Sequence, residues 1–164
     1  MGCTFCATGH EGLTRNLSSA EMICQIIAVQ NDFSCRVTNL VSMGQGEPFQ
    51  NYQATLEALR FANAKDGLEI GARHITVSTC GIIQGIERLA NEPEQFTLAV
   101  SLHSALQDVR NEIMPRCSNI PLPHLKKALR SYIEKTGRRV SFEYLLIKGV
   151  TDTEENLAAL IDFC

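Results

Sequence analysis

Short runs of β-branched and apolar residues alternate with helical patterns along this whole 164-residue chain, and that alternation limits the fold more than any other feature. "SSAEMICQIIAV" (Ser18–Val29) opens on a serine suited to a helix N-cap and spaces its apolar residues as a helix does. "CRVTNLVSM" (Cys35–Met43) reads as a short buried strand. A helix over Asn51–Ala64, a strand over Arg73–Thr79, a helix in "IIQGIERLAN" and a strand over Phe96–His103 follow. Next come a helix in "LQDVRNEIM" broken by Pro115 and a longer one over Leu122–Thr136 stopped by Gly137. A fourth strand over Arg139–Ile147 leads to a helix in "TDTEENLAALIDF", capped by threonine or aspartate. This repetition predicts an α/β fold, a parallel sheet joined by right-handed crossovers. Pattern alone leaves open whether the sheet curls into a barrel.

Three of the strands end in small or polar residues: Gly44-Gln45-Gly46-Glu47, Ser78-Thr79-Cys80-Gly81 and Ser101-Leu102-His103. Parallel α/β folds bind ligands at the C-terminal edge of the sheet, so these ends are expected to converge on one mouth.

Composition narrows the function. The apolar share, 45%, is enough for one packed core, and no apolar run reaches the length of a membrane span. The net charge of −3 argues against autonomous nucleic-acid binding, which favours a basic surface. Lys126, Lys127 and Arg130 read as a solvated helix face. Seven cysteines, an odd number, do not suit a secreted disulfide framework. Cys24, Cys35, Cys80, Cys117 and Cys164 read as buried free thiols of a cytoplasmic protein.

Cys3 and Cys6 differ from the other five, because C-x2-C spacing can serve a zinc site, a dithiol pair or an iron–sulfur ligand set. Zinc would need a second ligand pair, and His10 alone is too little. A dithiol pair should follow a strand, and no strand pattern precedes Cys3.

"GCTFCATG" (Gly2–Gly9) resembles the distal part of the radical S-adenosylmethionine (SAM) cysteine motif, C-x3-C-x2-C, in the form found in ribosomal RNA adenine methyltransferases. "GLTRNL", "MGQGEP", "ITVSTCG", "AVSLH", "RNEIMP" and "FEYLLIKGVTD" resemble further segments of that family in the same order. The resemblance implies a partial TIM barrel of the (βα)6 radical SAM type, with about four parallel strands in this chain. It implies a [4Fe–4S] cluster held in part by Cys3 and Cys6, and SAM held by Gly46, Glu47, Ser78, Ser101, Leu102 and His103. Glu47 offers an acceptor for the SAM ammonium, and the glycines permit close backbone approach. Arg15 and Asn16 are equally suited to solvent or to a ligand.

By the same resemblance the reaction is methylation of adenine C2 in 23S ribosomal RNA, with transfer RNA as a further substrate, through a methyl-cysteine. A flavodoxin or ferredoxin would donate electrons, and the enzyme would act as a cytoplasmic monomer. The first cluster cysteine, the first strand, an accessory domain and the methyl-carrying cysteine have no counterpart in residues 1–164. The expectation is therefore the central piece of a radical SAM core, with Met1 an internal methionine and no catalytic residue of its own. Two thiolates do not normally hold such a cluster, so the 164 residues alone are expected to be inactive. Cys117 departs from the family pattern after "IMP". A C8-methylating relative shares these motifs and is the nearest alternative, with "SLHS" leaning toward it and "FEY" away. A degenerate non-catalytic paralogue and a bare zinc module stand further off.

Overall fold

The computed structural model describes residues 1–164. Four strands form one sheet in the order β1-β2-β3-β4: β1 Leu40–Ser42, β2 Ile75–Thr79, β3 Thr97–Ser101 and β4 Val140–Glu143. Every neighbouring pair is parallel. The helices between and around them are α1 Ser19–Asp32, α2 Tyr52–Asn63, α3 Ile83–Leu89, α4 Gln107–Ile113, α5 Leu122–Thr136 and α6 Glu154–Phe163. Spatial order follows chain order, so each crossover steps the same way and right-handedness puts the helices on one face. That arrangement is an arc of a barrel wall, with β1 and β4 as its free edges.

Register and alternation assign the two faces. Ile75, Val77, Leu98 and Val100 enter the core with Leu56 and Leu59 of α2, Ile86 and Leu89 of α3, and Leu125 and Leu129 of α5. The residues between them point to the concave face, where Ser78 pairs with Ala99, Ala99 with Ser141, and Ser101 with Glu143. One face is thus packed and aliphatic, the other small and polar.

Local signals set the helix limits. Ser18 and Glu21 form a reciprocal capping box at the start of α1. Thr153 caps α6 by accepting from Asn156 N–H. Gly137, at φ +64°, takes the left-handed conformation that ends α5. Gly85 has a packing role, because an added Cβ would lie 2.3 Å from Phe49 Cγ in the core. Gly85→Ala is expected to destabilise the fold by about 1–3 kcal/mol through overpacking, measured as a lower urea midpoint with unchanged slope.

The structure corrects three expectations. The strand expected over Cys35–Met43 is only Leu40–Ser42, and it is an exposed edge with Val41 52% accessible. Cys35 N–H donates to Gln30 O, and Val37 N–H to Gln30 Oε1, so the chain is still turning out of α1 there. The strand expected over Arg139–Ile147 ends at Glu143, because Leu145 N–H donates to His103 Nδ1 and Ile147 N–H to Thr151 Oγ1 instead of a ladder. All seven cysteines are free, but Cys24, Cys35 and Cys164 are exposed; of the five expected in the core, only Cys80 and Cys117 are buried.

Candidate active site

Because the sheet is parallel throughout, the C-terminal ends of its strands share one edge, and the N-terminal cysteine loop packs there. Thr4 donates to Ile113 O through its amide at 3.0 Å and its hydroxyl at 3.3 Å, anchoring the loop on the end of α4. Phe5, between the two cysteines, meets the His103 ring edge-on, with centroids 4.8 Å apart. The cysteine loop and the segment just after β3 are therefore brought together by direct packing.

The two thiols have different surroundings. Cys3 is buried, and burial, reinforced by nearby Cys117, pushes its thiol up. Cys6 is half-buried, its Sγ 3.2 Å from Thr8 Oγ1, and that hydrogen bond, with Gly9 N–H, lowers its pKa. Nearby, a hydrogen bond from the Cys80 thiol favours the Cys117 thiolate, which Arg110 supports; Cys80 is raised in return.

Glu47 is buried and bridges two strand ends. Its Oε2 accepts from Cys80 N–H at 2.7 Å, and its Oε1 from Phe49 N–H at 3.1 Å. Gly46, at φ +88°, and Gly44 form the turn just before it, and a Cβ built on either would meet nothing within 4 Å. Space therefore lies open over this turn, and φ at Gly46 strains any side chain placed there. Ser78 and Ser101 occupy the concave face by register, and neither hydroxyl is hydrogen-bonded to another protein group. Leu102 is fully buried in the core, so it faces a ligand only through its backbone. Its N–H already donates to Glu143 O, and its carbonyl accepts from Arg110 Nε.

His103 sits at φ +56°, a strained conformation for a non-glycine residue. Its Nδ1 accepts from Leu145 N–H at 3.2 Å, which places the ring proton on Nε2. Burial first, then the charge of Arg110, lower its pKa to about 4. The depressed value means the unfolded chain takes up a proton near pH 6.5 that the folded chain refuses until about 4. Stability is full above pH 6.5 and falls as pH drops through this window, by up to about 3 kcal/mol. His103→Gln, which keeps an acceptor for Leu145, should flatten that part of a plot of urea midpoint against pH.

The other residues singled out in the sequence have partners of their own or lie exposed. Arg15 grips Glu21 through both terminal guanidinium nitrogens, at 2.9 and 2.6 Å. Lys126 donates to Asp162 O at 2.6 Å and so serves the packing of α5 against α6, whereas Lys127 and Arg130 are exposed. One residue of the site escaped the sequence reading. Arg110 of α4 is fully buried, with Nη2 2.6 Å from Cys80 O and Nε 3.2 Å from Leu102 O. Its signal was an arginine on the apolar face of α4, three residues before Ile113 and four after Leu106.

The donor set fits an iron–sulfur cluster with SAM beside it. Two thiols, an open glycine turn, free serine hydroxyls and an orphaned cationic N–H, Arg110 Nη1, surround one edge. No three histidine, cysteine or acidic side chains converge as a closed metal cage.

Similarity to known proteins extends over nearly the whole chain. The profile of the radical SAM superfamily matches residues 1–161. A probable dual-specificity RNA methyltransferase RlmN from Clostridium novyi is 45% identical over 161 residues, 98% of this chain and 47% of that protein. Its counterpart in Clostridioides difficile is 48% identical over 160 residues, 98% of this chain and 47% of that protein. The crystal structure of a radical SAM methyltransferase from Sphaerobacter thermophilus superposes with a TM-score of 0.93 at 47% identity, over 99% of this chain and 48% of the other. The chain thus spans a little under half the length of the relatives it matches.

Proposed function

The chain belongs to the radical SAM superfamily, and from that premise we propose that it forms the central part of an RNA methyltransferase acting on adenine C2 of 23S ribosomal RNA and of transfer RNA. The observation that carries the reading is the Phe5–His103 contact, which brings the cysteine loop to the strand ends where Gly46, Glu47, Ser78 and Ser101 lie. The RlmN relatives, called dual-specificity RNA methyltransferases, support two RNA substrates. "SLHS" at the end of β3 leans toward C8 and "FEY" at the end of β4 toward C2, so the RNA product decides between them.

In this proposal Cys3 and Cys6 supply two of the cluster's thiolates. The bound cluster would deliver the electron that splits SAM into methionine and a 5′-deoxyadenosyl radical. Gly46 lets the backbone approach the amino-acid end of SAM, and the Glu47 carboxylate, with lone pairs to spare, accepts from its ammonium. Ser78 and Ser101 offer hydroxyls from the concave face, and His103 donates from neutral Nε2. The third cluster thiolate and the methyl-carrying cysteine are not among the residues this chain gathers at the edge, and Cys164 is exposed at the end of α6. We therefore expect residues 1–164 by themselves to release no 5′-deoxyadenosine after anaerobic reconstitution with iron and sulfide. A flavodoxin or ferredoxin is the proposed electron donor.

The test is to reconstitute the full-length protein that carries this chain and supply SAM, a one-electron reductant and a 23S ribosomal RNA fragment. Digestion of the RNA should yield 2-methyladenosine by mass spectrometry. Formation of 8-methyladenosine would transfer the reading to the C8 reaction, and an unmodified RNA with no SAM cleavage would remove it.

A further inference from the structure

Arg110 is a buried cation without a carboxylate partner. Its side chain is fully inaccessible, and the ion pairs of the molecule join Arg15 to Glu21 and Arg60 to Glu92 and Glu94. Glu47, the one buried carboxylate, accepts backbone N–H groups from Phe49 and Cys80 and makes no ion pair with Arg110. Arg110 gives Nη2 to Cys80 O and Nε to Leu102 O, while Nη1 is buried with no partner. Carbonyl dipoles only partly offset the desolvation of a guanidinium, and folded proteins place an anion beside a buried cation. Its charge acts on His103 and on the thiols of Cys117, Cys80 and Cys3. The same helix end carries the cysteine loop, since Thr4 is hydrogen-bonded to Ile113.

We propose that Arg110 is a positioning and charge-compensating residue for the iron–sulfur cluster, pinning the ends of β2 and β3 and holding a fixed positive charge beside the Cys3 loop. The proposal rests on the reading that Cys3 and Cys6 ligate such a cluster. A thiolate-ligated cluster is anionic and becomes more so on accepting an electron. A desolvated cation nearby favours the reduced form and raises the midpoint potential. The guanidinium fork also spans two strand ends, which a lysine ammonium cannot do in the same way. A purely structural strut would leave the potential unchanged.

The experiment uses the full-length protein that carries this chain, reconstituted anaerobically with iron and sulfide and titrated with dithionite under EPR detection. Wild type, Arg110→Lys, Arg110→Met and Arg110→Gln are compared for iron content, midpoint potential and thermal midpoint. The neutral Met and Gln variants should bind iron with a midpoint shifted to more negative potential, and Arg110→Lys should recover most of that shift. Loss of thermal stability with a wild-type midpoint in the neutral variants would overturn the proposal. If neither neutral variant folds, Cys117→Asp, which gives the guanidinium its own carboxylate, should produce the same negative shift, and its absence would overturn the proposal. A wild-type protein that takes up no cluster would instead refute the functional reading, and this inference with it.

Discussion

Cys6→Ser in the full-length protein that carries this chain is expected to abolish SAM cleavage and remove most of the reconstituted iron. A serine hydroxyl stays protonated at neutral pH and is a poor ligand for the irons of such a cluster, which thiolates hold. Cys6 is the cleaner of the two tests: it is only half-buried, and its partners Thr8 and Gly9 belong to the same loop. Cys3→Ser should have the same effect, with some loss of folding stability because Cys3 is part of the core. Serine at Cys24, Cys35 or Cys164, all exposed, should leave iron content and cleavage unchanged. The measurements are iron and sulfide per chain and 5′-deoxyadenosine by chromatography. Full iron content in the Cys6 variant would show that the pair does not ligate a cluster.

What could be read in the sequence divides along physical lines. Features set by a few neighbouring residues were legible: the Ser18 cap, the Gly137 stop that closes α5, a threonine or aspartate cap for α6, and the alternation that produced a parallel sheet. Strand extent was not, because it depends on a neighbour. The residues after Cys35 are still held by Gln30 of α1, and those after Glu143 turn toward His103 and Thr151. Burial of the cysteines was misjudged for a related reason. Cys24 lies on α1, a helix with no buried residue, so its apolar spacing gave no measure of packing depth. In the site, residue identities pointed to a ligand edge, while the placement of Arg110 beneath it came only from tertiary packing. A charged side chain on an apolar helix face becomes informative once it is clear that no carboxylate meets it.

Glu47→Ala carries the largest effect on stability and should weaken SAM binding as well. In the folded chain one carboxylate satisfies two N–H groups, from Phe49 just after it and from Cys80 at the end of β2. Hydrogen bonds to a charged acceptor contribute about 1.5–3 kcal/mol each, and alanine leaves both donors unpaired in the interior. A loss of about 3–5 kcal/mol follows, which in a chain of this size lowers the thermal midpoint by roughly 6–20 °C. Glu47→Gln separates the two roles. Its amide oxygen can still accept from Cys80, while its NH2 group faces the Phe49 donor, so part of the stability returns. The negative charge that would face the SAM ammonium does not return. The glutamine variant is therefore expected to fold, take up a cluster and bind SAM at least about tenfold more weakly, a difference of about 1.4 kcal/mol. Equilibrium dialysis with labelled SAM and thermal unfolding of the same samples make the comparison. Unchanged SAM affinity in a folded Glu47→Gln protein would restrict this carboxylate to tying β1 and β2 together, leaving the open space above Gly46 as the remaining reason to place SAM there.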